Sequence, residues 1–404
     1  MYADAQAAIA YLRSPQAIRD RCGVLFDLAC DDRLRHFRCD LTQLERVADY
    51  VIQVMRENYP DLQIPFHSRW QHFQAGGVDR LTQLDAKLAG LTLLEKAQAK
   101  FDLAIVSVLL DAGAGNRWQY REPATNLIFS RSEGLAVASF EMFCQGLFSS
   151  TPAQPLQADA VGLQLSADVL AAGLQASGEN PVVGLSGRLQ LLHRLGATIQ
   201  AYPQMFGDRN PRPGNLVNYL LTKAENGQLA AEVVLSAVLA GFSNIWTGRL
   251  QIDSVNLGDV WYHSEIKDEL VPFHKLSQWL TYSLLEPLQE LSLEITELDA
   301  LTGLPEYRNG GLCIDLGLLQ PKDPRILHQI HSVSSEIVVE WRALTVILLD
   351  RIAATIRHKL SMDAQQLPLV KVLQGGTWNA GRKIAAELRG GTPPIQIESD
   401  GTVF

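Results

Sequence analysis

The sequence is poor in the features that mark disulfide-stabilised, zinc-binding and membrane-spanning proteins. Its 404 residues contain five cysteines, an odd number at low density, and no C-x-x-C motif occurs. A disulfide framework and a structural zinc site are therefore disfavoured. No apolar run approaches the roughly 20 residues that a transmembrane helix needs, and the N-terminus lacks a basic segment followed by an apolar one. These absences predict a cytoplasmic protein with no membrane partner.

Positive charge is also scarce. The chain has 35 Lys and Arg against 44 Asp and Glu, which gives a net charge of -9. Because proteins that bind duplexes usually carry a basic face, no nucleic acid partner is predicted. An anionic small molecule stays possible, since a few local cations can outweigh a diffuse negative field. The 47% hydrophobic and 20% charged residues are typical of a globular protein and exclude a largely disordered chain.

Helical periodicity is what the sequence does contain. Apolar residues from Leu41 to Met55 recur at three- and four-residue steps, and Asp40 precedes them as a predicted N-cap. A longer stripe runs from Ile326 to Ile352, and Asp323-Pro324 predicts its start. Leu229 to Phe242 is almost wholly apolar or small, which predicts a helix buried on several sides.

Strand patterns are few. Trp118 to Phe129 predicts a short hairpin that turns near Pro123. The tail, residues 395–404, predicts a second hairpin around Asp400-Gly401. The sequence therefore predicts a mainly α fold, two-lobed and helical, with minor β hairpins.

Two Pro-rich breaks, residues 149–159 and 203–213, interrupt the helical patterns. The first separates a predicted N-terminal helical lobe, residues 1–150, from a C-terminal helical lobe, residues 160–404. Two such lobes could enclose a central cleft, where ligand sites often lie. A single continuous core fits the same breaks about as well.

No motif for a cofactor or a metal stands out. His67 and His72 are five residues apart and His328 and His331 are three apart, but neither pair has a carboxylate at ligand spacing. Only the second pair shares a predicted helix face. G-x-S-x-G, the dinucleotide-binding glycine motif and the phosphate P-loop are missing. No cofactor is therefore predicted, and oxidoreductase and NTPase functions are disfavoured.

Two polar segments contain candidate functional side chains. Lys275 and Gln278 share a helix face, where they could hold an oxyanion and a carbonyl or simply face solvent. Glu306 and Arg308 flank Tyr307 in a segment bounded by Pro and Gly. That pair could be a structural ion pair. Alternatively, Arg308 could keep Glu306 ionised and aimed at a developing cation.

A third segment, residues 374–382, contains the glycines Gly375 and Gly376 ahead of Thr377. A glycine turn that leads into a helix N-terminus offers free N–H groups and a favourable dipole to a phosphate. Arg382 would add a cation. Thr377 could equally be no more than an N-cap.

Long stretches of the chain resemble the uracil-catabolism protein four family, also called the uracil-regulated family. They include YLRSPQAIRDRC at 11–22, SRSEGLAVASFEMF at 130–143, WYHSEIKDELVPFHKLSQWLTYSLLEPL at 261–288 and GLPEYRNGGL at 303–312. The similarity covers essentially the whole chain. Membership implies a role in the route that takes uracil through a nucleotide and a ribosylurea-type intermediate toward urea.

The order of motifs is also similar to that of the queuosine-salvage N-glycosylase family, whose helical fold is related to DNA glycosylases. Its F-[YF]-K-x-x-Q helix matches residues 273–278 and its A-D-Y-R-x-P loop matches residues 305–308. This resemblance implies a DNA-glycosylase-like architecture. Glu306 stands where that family has Asp, and Asn309-Gly310-Gly311 replaces its x-Pro.

The two resemblances together imply hydrolysis of the N-glycosidic bond of a ribosylurea or its 5′-phosphate. Cleavage of such a bond passes through an oxocarbenium-like transition state. Glu306 is the predicted carboxylate that stabilises the cation, and His274 or Glu133 is the predicted proton donor. Residues predicted to bind this ribosyl or nucleotide-derived small molecule are Lys275, Gln278, Tyr307, Arg308, Arg188, Trp118, Glu133 and Asp208. The glycine turn with Thr377 and Arg382 is a weaker predicted phosphate site.

Two alternative functions remain open. An amide or ureide hydrolase of the same pathway would more naturally use a metal or a Ser or Cys nucleophile, and the sequence shows neither clearly. A non-enzymatic helical protein could instead bind or scaffold the pathway enzymes. No pattern in the sequence encodes the oligomeric state.

Overall fold

The computed structural model describes residues 4–111, 113–245 and 250–398, and it confirms the mainly α fold with minor β structure. The helices of these residues are α1 (Ala5–Leu12), α2 (Pro15–Cys30), α3 (Leu44–Asn58), α4 (Arg69–Phe73), α5 (Arg80–Lys87), α6 (Leu93–Leu109), α7 (Arg131–Cys144), α8 (Ala167–Gly173), α9 (Leu185–Ala201), α10 (Pro203–Phe206), α11 (Leu216–Leu221), α12 (Ala231–Phe242), α13 (Lys275–Gln289), α14 (Tyr307–Asp315), α15 (Glu336–Leu360), α16 (Leu369–Val372) and α17 (Trp378–Arg389).

The strands are short and pair two by two. They are β1 (Phe37–Cys39), β2 (Tyr120–Arg121), β3 (Ile128–Phe129), β4 (Gln228–Ala230), β5 (Gln251–Ile252), β6 (Val255–Asn256), β7 (Val260–Tyr262), β8 (Leu270–Pro272), β9 (Glu294–Thr296), β10 (Leu319–Pro321), β11 (Ile330–Ser332) and β12 (Gln396–Glu398). Antiparallel pairs are β1–β10, β2–β3, β5–β6 and β7–β8, and parallel pairs are β4–β9 and β11–β12.

The described residues form two compact units, each assembled from separated stretches of chain. The first unit comprises residues 4–67, 250–278 and 297–398. Its core forms where α15 packs against α2 and α3, and α14 packs against α17. Helix α15 begins where the Ser335 hydroxyl accepts a hydrogen bond from Val338 N, and it ends at Ser361, which has a left-handed φ of 54°.

The second unit comprises the described residues between 68 and 245, together with residues 279–296. Its core forms where α7 packs against α4 and α6. The Pro-rich break at residues 149–159 lies inside this unit. The division between the two units falls within α13, after Gln278.

Several predicted elements are confirmed. Helix α3 covers the stripe from Leu44 to Met55, and Leu41 lies in a short 3-10 turn ahead of it that Asp40 caps. Helix α12 is buried along most of its length, as its apolar sequence predicts. The hairpin predicted around Pro123 forms as β2–β3, with Tyr120 opposite Phe129.

One prediction in the C-terminal part of the chain is wrong, and another falls partly outside the described residues. The long helix does not begin at Asp323-Pro324: that pair starts a 3-10 turn, which strand β11 follows. His328 and His331 therefore share no helix face. In the tail, β12 pairs in parallel with β11, while the predicted Asp400-Gly401 turn lies outside the described residues.

No helix in the described ranges is both long enough and apolar enough to cross a bilayer.

Candidate functional site

Glu306 is the N-cap of helix α14 and is nearly buried, at 8% exposure. Its Oε2 accepts a hydrogen bond from Arg308 N at 2.8 Å, and its Oε1 accepts one from Asn309 N at 2.6 Å. The Asn309 side chain donates to the Leu304 carbonyl at 3.0 Å, which secures the chain just before the cap. The carboxylate is therefore held rigidly at the positive end of the helix dipole.

Opposing influences set the ionisation of Glu306. Burial raises its pKa, because the charged form loses hydration. The two backbone N–H donors and the charges of Lys275 and Arg308 work in the opposite direction, and the pKa stays above the usual value for a glutamate. The structure thus brings the predicted catalytic carboxylate and the Lys275 ammonium into one electrostatic neighbourhood.

The first turn of α13, which presents Lys275, is held by Asp259. The carboxylate of Asp259 accepts hydrogen bonds from Lys275 N at 3.0 Å and Trp261 Nε1 at 2.6 Å. Arg342 completes a bidentate ion pair with it, at 2.8 and 2.7 Å. Burial alone would raise the pKa of Asp259, but the charge and hydrogen bonds of Arg342, together with the hydrogen bonds from Trp261 and Lys275 N, hold the pKa well below the usual value. Asp259 therefore stays ionised and anchors the helix start.

His274, a predicted proton donor, is almost fully buried and adopts a left-handed φ of 48°. Its Nε2 lies 2.8 Å from the Leu12 carbonyl oxygen. This nitrogen therefore carries the ring proton and donates a hydrogen bond to the backbone. Burial lowers the pKa of His274, because the charged ring would lose its hydration. These contacts are typical of a structural histidine that fixes the entry to α13.

Gln278 is fully buried and connects α13 to the segment that leads to Glu306. Its Oε1 accepts a hydrogen bond from Thr302 N at 2.8 Å, and its Nε2 donates to Thr302 Oγ1 at 2.8 Å and to the Phe273 carbonyl at 3.0 Å. Both ends of the amide are thus engaged within the protein. Gln278 positions the loop before Glu306.

Arg308 and Tyr307 form a cation–π pair, with the guanidinium carbon 4.8 Å from the ring centroid. Arg308 is buried and donates to the Gly391 carbonyl at 3.1 Å, whereas Tyr307 is half-buried. Arg308 makes no side-chain ion pair with Glu306 among the contacts of the described residues: it reaches that carboxylate through its backbone N–H and through its charge.

The predicted phosphate-binding turn is wrong in its geometry. Gly375, Gly376 and Thr377 lie in a π-helical turn, Leu373–Thr377, that runs without a break from α16 into α17. Their N–H groups are therefore inside a helix and do not form a free N-terminus. All three are buried, and Arg382 is exposed, with its guanidinium carbon 5.7 Å from the Trp378 ring centroid.

Four predicted binding residues lie in the second unit. Arg188 is buried and donates from Nε to the Leu110 carbonyl at 2.9 Å, and Trp118 is buried and donates to the Leu174 carbonyl at 2.9 Å. Both side chains thus stabilise the backbone of that unit through hydrogen bonds. Glu133, in the first turn of α7, is half-buried, and Asp208 is exposed.

Sequence reasoning missed two pairs of side chains in the first unit, Asp259 with Arg342 and His67 with Gln374. His67 Nδ1 lies 2.9 Å from Gln374 Oε1, and the Lys275 ammonium acts electrostatically on both His67 and Glu306. No motif contains these pairs, because their members are far apart in the chain. The described residues contain no group of three or more His, Cys, Asp and Glu side chains arranged to hold a metal.

Comparisons with known proteins agree on one family. The model of the family described as "Protein of unknown function (DUF1688)" matches residues 11–404. The chain is 40% identical to Protein urg3 of Schizosaccharomyces pombe over 406 residues, which cover 98% of this chain and 99% of that protein. It is 38% identical to Uracil catabolism protein 4 of Lachancea kluyveri over 437 residues, with the same coverage. The chain therefore belongs to the DUF1688 family.

Proposed function

We propose that this chain is an N-ribosyl hydrolase of uracil catabolism, which cleaves a ribosylurea-type intermediate or its 5′-phosphate into urea and the ribose moiety. The pathway is supported by the relative named Uracil catabolism protein 4. The observation that carries the reaction is the Glu306 carboxylate, which is buried and fixed by two N–H donors in the unit that also holds Lys275.

The chemistry follows from the charge that develops at C1′. As the bond from C1′ to the urea nitrogen breaks, the ribose becomes oxocarbenium-like and is stabilised by a nearby anion. A carboxylate has about four lone-pair positions, and the backbone donors of Glu306 occupy two of them. The others remain for the cation and for the attacking water. Water adds its hydroxyl to C1′, and the other hydrogen of that water ends as a proton on the departing urea nitrogen, so the reaction consumes one water.

The neutral ribosylurea is the substrate that we favour. The glycine pair at 375–376 lies inside a helix and offers no free N–H groups to a phosphate. The predicted binding set has three cations in this unit: Lys275 and Arg308, whose charges act on the buried carboxylate, and Arg382, which is exposed.

The direct test is to incubate the pure, folded protein with synthetic ribosylurea and with its 5′-phosphate, and to measure urea and reducing sugar. Equal amounts of the two products support the proposal, and the absence of urea from both substrates overturns it. Ammonia or carbamate in place of urea would indicate a ureide hydrolase. Binding without turnover would indicate a scaffold.

The role of Glu306 is tested by removing the charge of its side chain while keeping the size. We expect Glu306→Gln to lower kcat by at least about 100-fold, because the transition state loses its anionic partner. Glu306→Asp, which keeps the charge and is a strong N-cap residue, should restore much of the rate. Wild-type turnover in the Gln variant would remove Glu306 from the mechanism.

A control separates the capping role of Glu306 from its charge. Ser14 caps α2 in the same unit by accepting a hydrogen bond from Ala17 N at 3.1 Å. Ser14→Ala should cost about 1 kcal/mol of stability, as the loss of an N-cap usually does, without changing kcat. If Ser14→Ala and Glu306→Gln reduced turnover equally, lost stability would explain both effects.

A further inference from the structure

His67 belongs to a buried chain of hydrogen bonds in the first unit. It is 4% exposed, and its Nδ1 lies 2.9 Å from Gln374 Oε1. Gln374 in turn donates from Nε2 to the Tyr59 hydroxyl at 3.2 Å. With the amide in this orientation, Nδ1 must carry the imidazole proton, and Nε2 is left with a lone pair.

The two ring nitrogens of His67 differ in their partners. In the described part of the chain, no residue makes a hydrogen bond with Nε2. Burial lowers the pKa of His67 to about 4 against the opposing effect of the Gln374 hydrogen bond, and the Lys275 ammonium, which also acts on Glu306, lowers it further. The imidazole is therefore a neutral hydrogen-bond acceptor at neutral pH, in the same electrostatic neighbourhood as the candidate catalytic carboxylate.

We propose that Nε2 of His67 accepts a hydrogen bond from a ureido N–H of the substrate, and that this contact selects an opened ureide over an intact pyrimidine nucleoside. The inference rests on the proposed function. In a ribosylurea, the glycosidic nitrogen and the terminal nitrogen both carry hydrogens. In uridine, the glycosidic nitrogen has no hydrogen and is flanked by a carbonyl oxygen. A hydrogen-bond acceptor at His67 attracts the N–H groups of ribosylurea and repels the carbonyl oxygen of uridine.

Two substitutions isolate the acceptor. His67→Gln places an amide oxygen near the position of Nε2, whereas His67→Phe keeps a ring without an acceptor. We expect His67→Phe to lower kcat/KM for ribosylurea by about 10- to 100-fold, mainly through KM, as the loss of a buried hydrogen bond does. His67→Gln should recover most of this loss. His331→Phe is the matched control, because His331 is another buried histidine of this unit, bonded to the Ile326 carbonyl, and it should leave kcat/KM unchanged.

A spectroscopic measurement tests the tautomer without relying on turnover. In ¹⁵N-histidine-labelled protein, the signal that disappears in His67→Gln identifies His67. We expect its Nε2 to remain unprotonated from pH 5 to 8. A protonated Nε2, or full kcat/KM in His67→Phe alongside an active wild type, would overturn this inference alone. A wild type that releases no urea would overturn the proposed function, and the specificity role with it.

Discussion

At the scale of single residues, the Glu306 carboxylate is both a helix cap and the proposed anion of the reaction. The cap fixes its position through Arg308 N and Asn309 N, and burial raises its pKa. A carboxyl with a raised pKa takes up its proton at a higher pH than an exposed glutamate. The proposed reaction needs the ionised form, so this shift has a kinetic consequence.

We expect kcat to fall in acid with an inflection above the usual glutamate pKa of about 4.3, because Glu306 is protonated early. The measurement is the pH dependence of urea release from ribosylurea. The small residual rate of Glu306→Gln should show no such limb, since its amide does not titrate. An acid limb that persists in this variant would assign the inflection to another group.

The protonation of a second carboxyl, that of Glu286 in the second unit, affects the stability of the folded protein. Its Oε2 accepts a hydrogen bond from Ser68 Oγ at 2.5 Å. Burial raises its pKa from 4.5 to about 7, and the nearby charge of Glu290 acts in the same direction, although the Ser68 hydrogen bond opposes the shift. The folded protein therefore binds this proton more tightly than the unfolded chain does.

The sign of the pH effect follows from this difference. The stabilisation is complete below about pH 4.5 and is lost as the pH rises toward about 7, because the folded state must then give up its proton. We expect the free energy of unfolding of the wild type to fall by roughly 1 to 3 kcal/mol, relative to Glu286→Gln, between pH 5 and 8. Denaturant unfolding of both proteins measures this. Parallel curves for the two proteins would exclude Glu286 as the group.

Part of the site could be predicted from the sequence and part could not. Lys275 and Glu306 lie in the two short motifs that resemble the glycosylase family, and the order of those motifs is the basis for expecting the two side chains near each other. Asp259 and Arg342 are 83 residues apart, and His67 and Gln374 are 307 apart. These partners meet only through tertiary packing, and no local pattern encodes such a meeting.

At the scale of elements, Pro287 leaves a gap in the hydrogen bonding of α13. It lies inside the helix and has no N–H, so the Ser283 carbonyl four residues earlier loses its helical partner. The indole Nε1 of Trp70 donates to that carbonyl at 2.7 Å, in the same unit. One side chain from α4 thus satisfies a backbone acceptor that the proline exposes.

This arrangement predicts coupling between Trp70 and Pro287. Trp70→Phe should cost about 1 to 3 kcal/mol, because it leaves a buried carbonyl unpaired. In a Pro287→Ala background the helix supplies its own N–H, so the same substitution should cost less. Denaturant unfolding of the four proteins of this double-mutant cycle gives the coupling free energy. Additive effects would mean that the indole N–H contributes nothing through Ser283.

The glycines at 375 and 376 show why an element can be mispredicted from its composition. Paired glycines disfavour a helix, and so they predict a break. In the fold, a Cβ at residue 376 would lie 2.5 Å from Val51 Cγ1 of α3, and a Cβ at residue 375 would lie 2.7 Å from Ile64 Cδ1. Close packing therefore requires the glycines within a continuous helix. The mainly α class was predictable because amphipathic periodicity is local, whereas this close approach is not.

At the scale of the whole molecule, the order of segments along the chain does not show how they are grouped in space. The Ser- and Pro-rich segment at residues 149–159 reads as a linker, yet Gln157 and Asp159 are buried in the second unit. Asp102 secures the segment by accepting a hydrogen bond from Ala158 N at 3.1 Å, and it also pairs with Arg212. Composition alone cannot distinguish a packed loop from a flexible one, because the partners of the loop come from distant helices.

The net charge of -9 bears on the substrate that the whole chain prefers. A negative field disfavours the approach of a 5′-phosphate and leaves a neutral ribosylurea unaffected. We expect kcat/KM at low ionic strength to be about 10-fold higher for the neutral compound, and only the value for the phosphate to rise as salt shortens the Debye length toward about 8 Å. Urea release measured from both substrates between 10 and about 150 mM salt tests this, with the neutral compound as the internal control. A higher kcat/KM for the phosphate, falling as salt is added, would show instead that a local group of cations captures the substrate and outweighs the field of the chain.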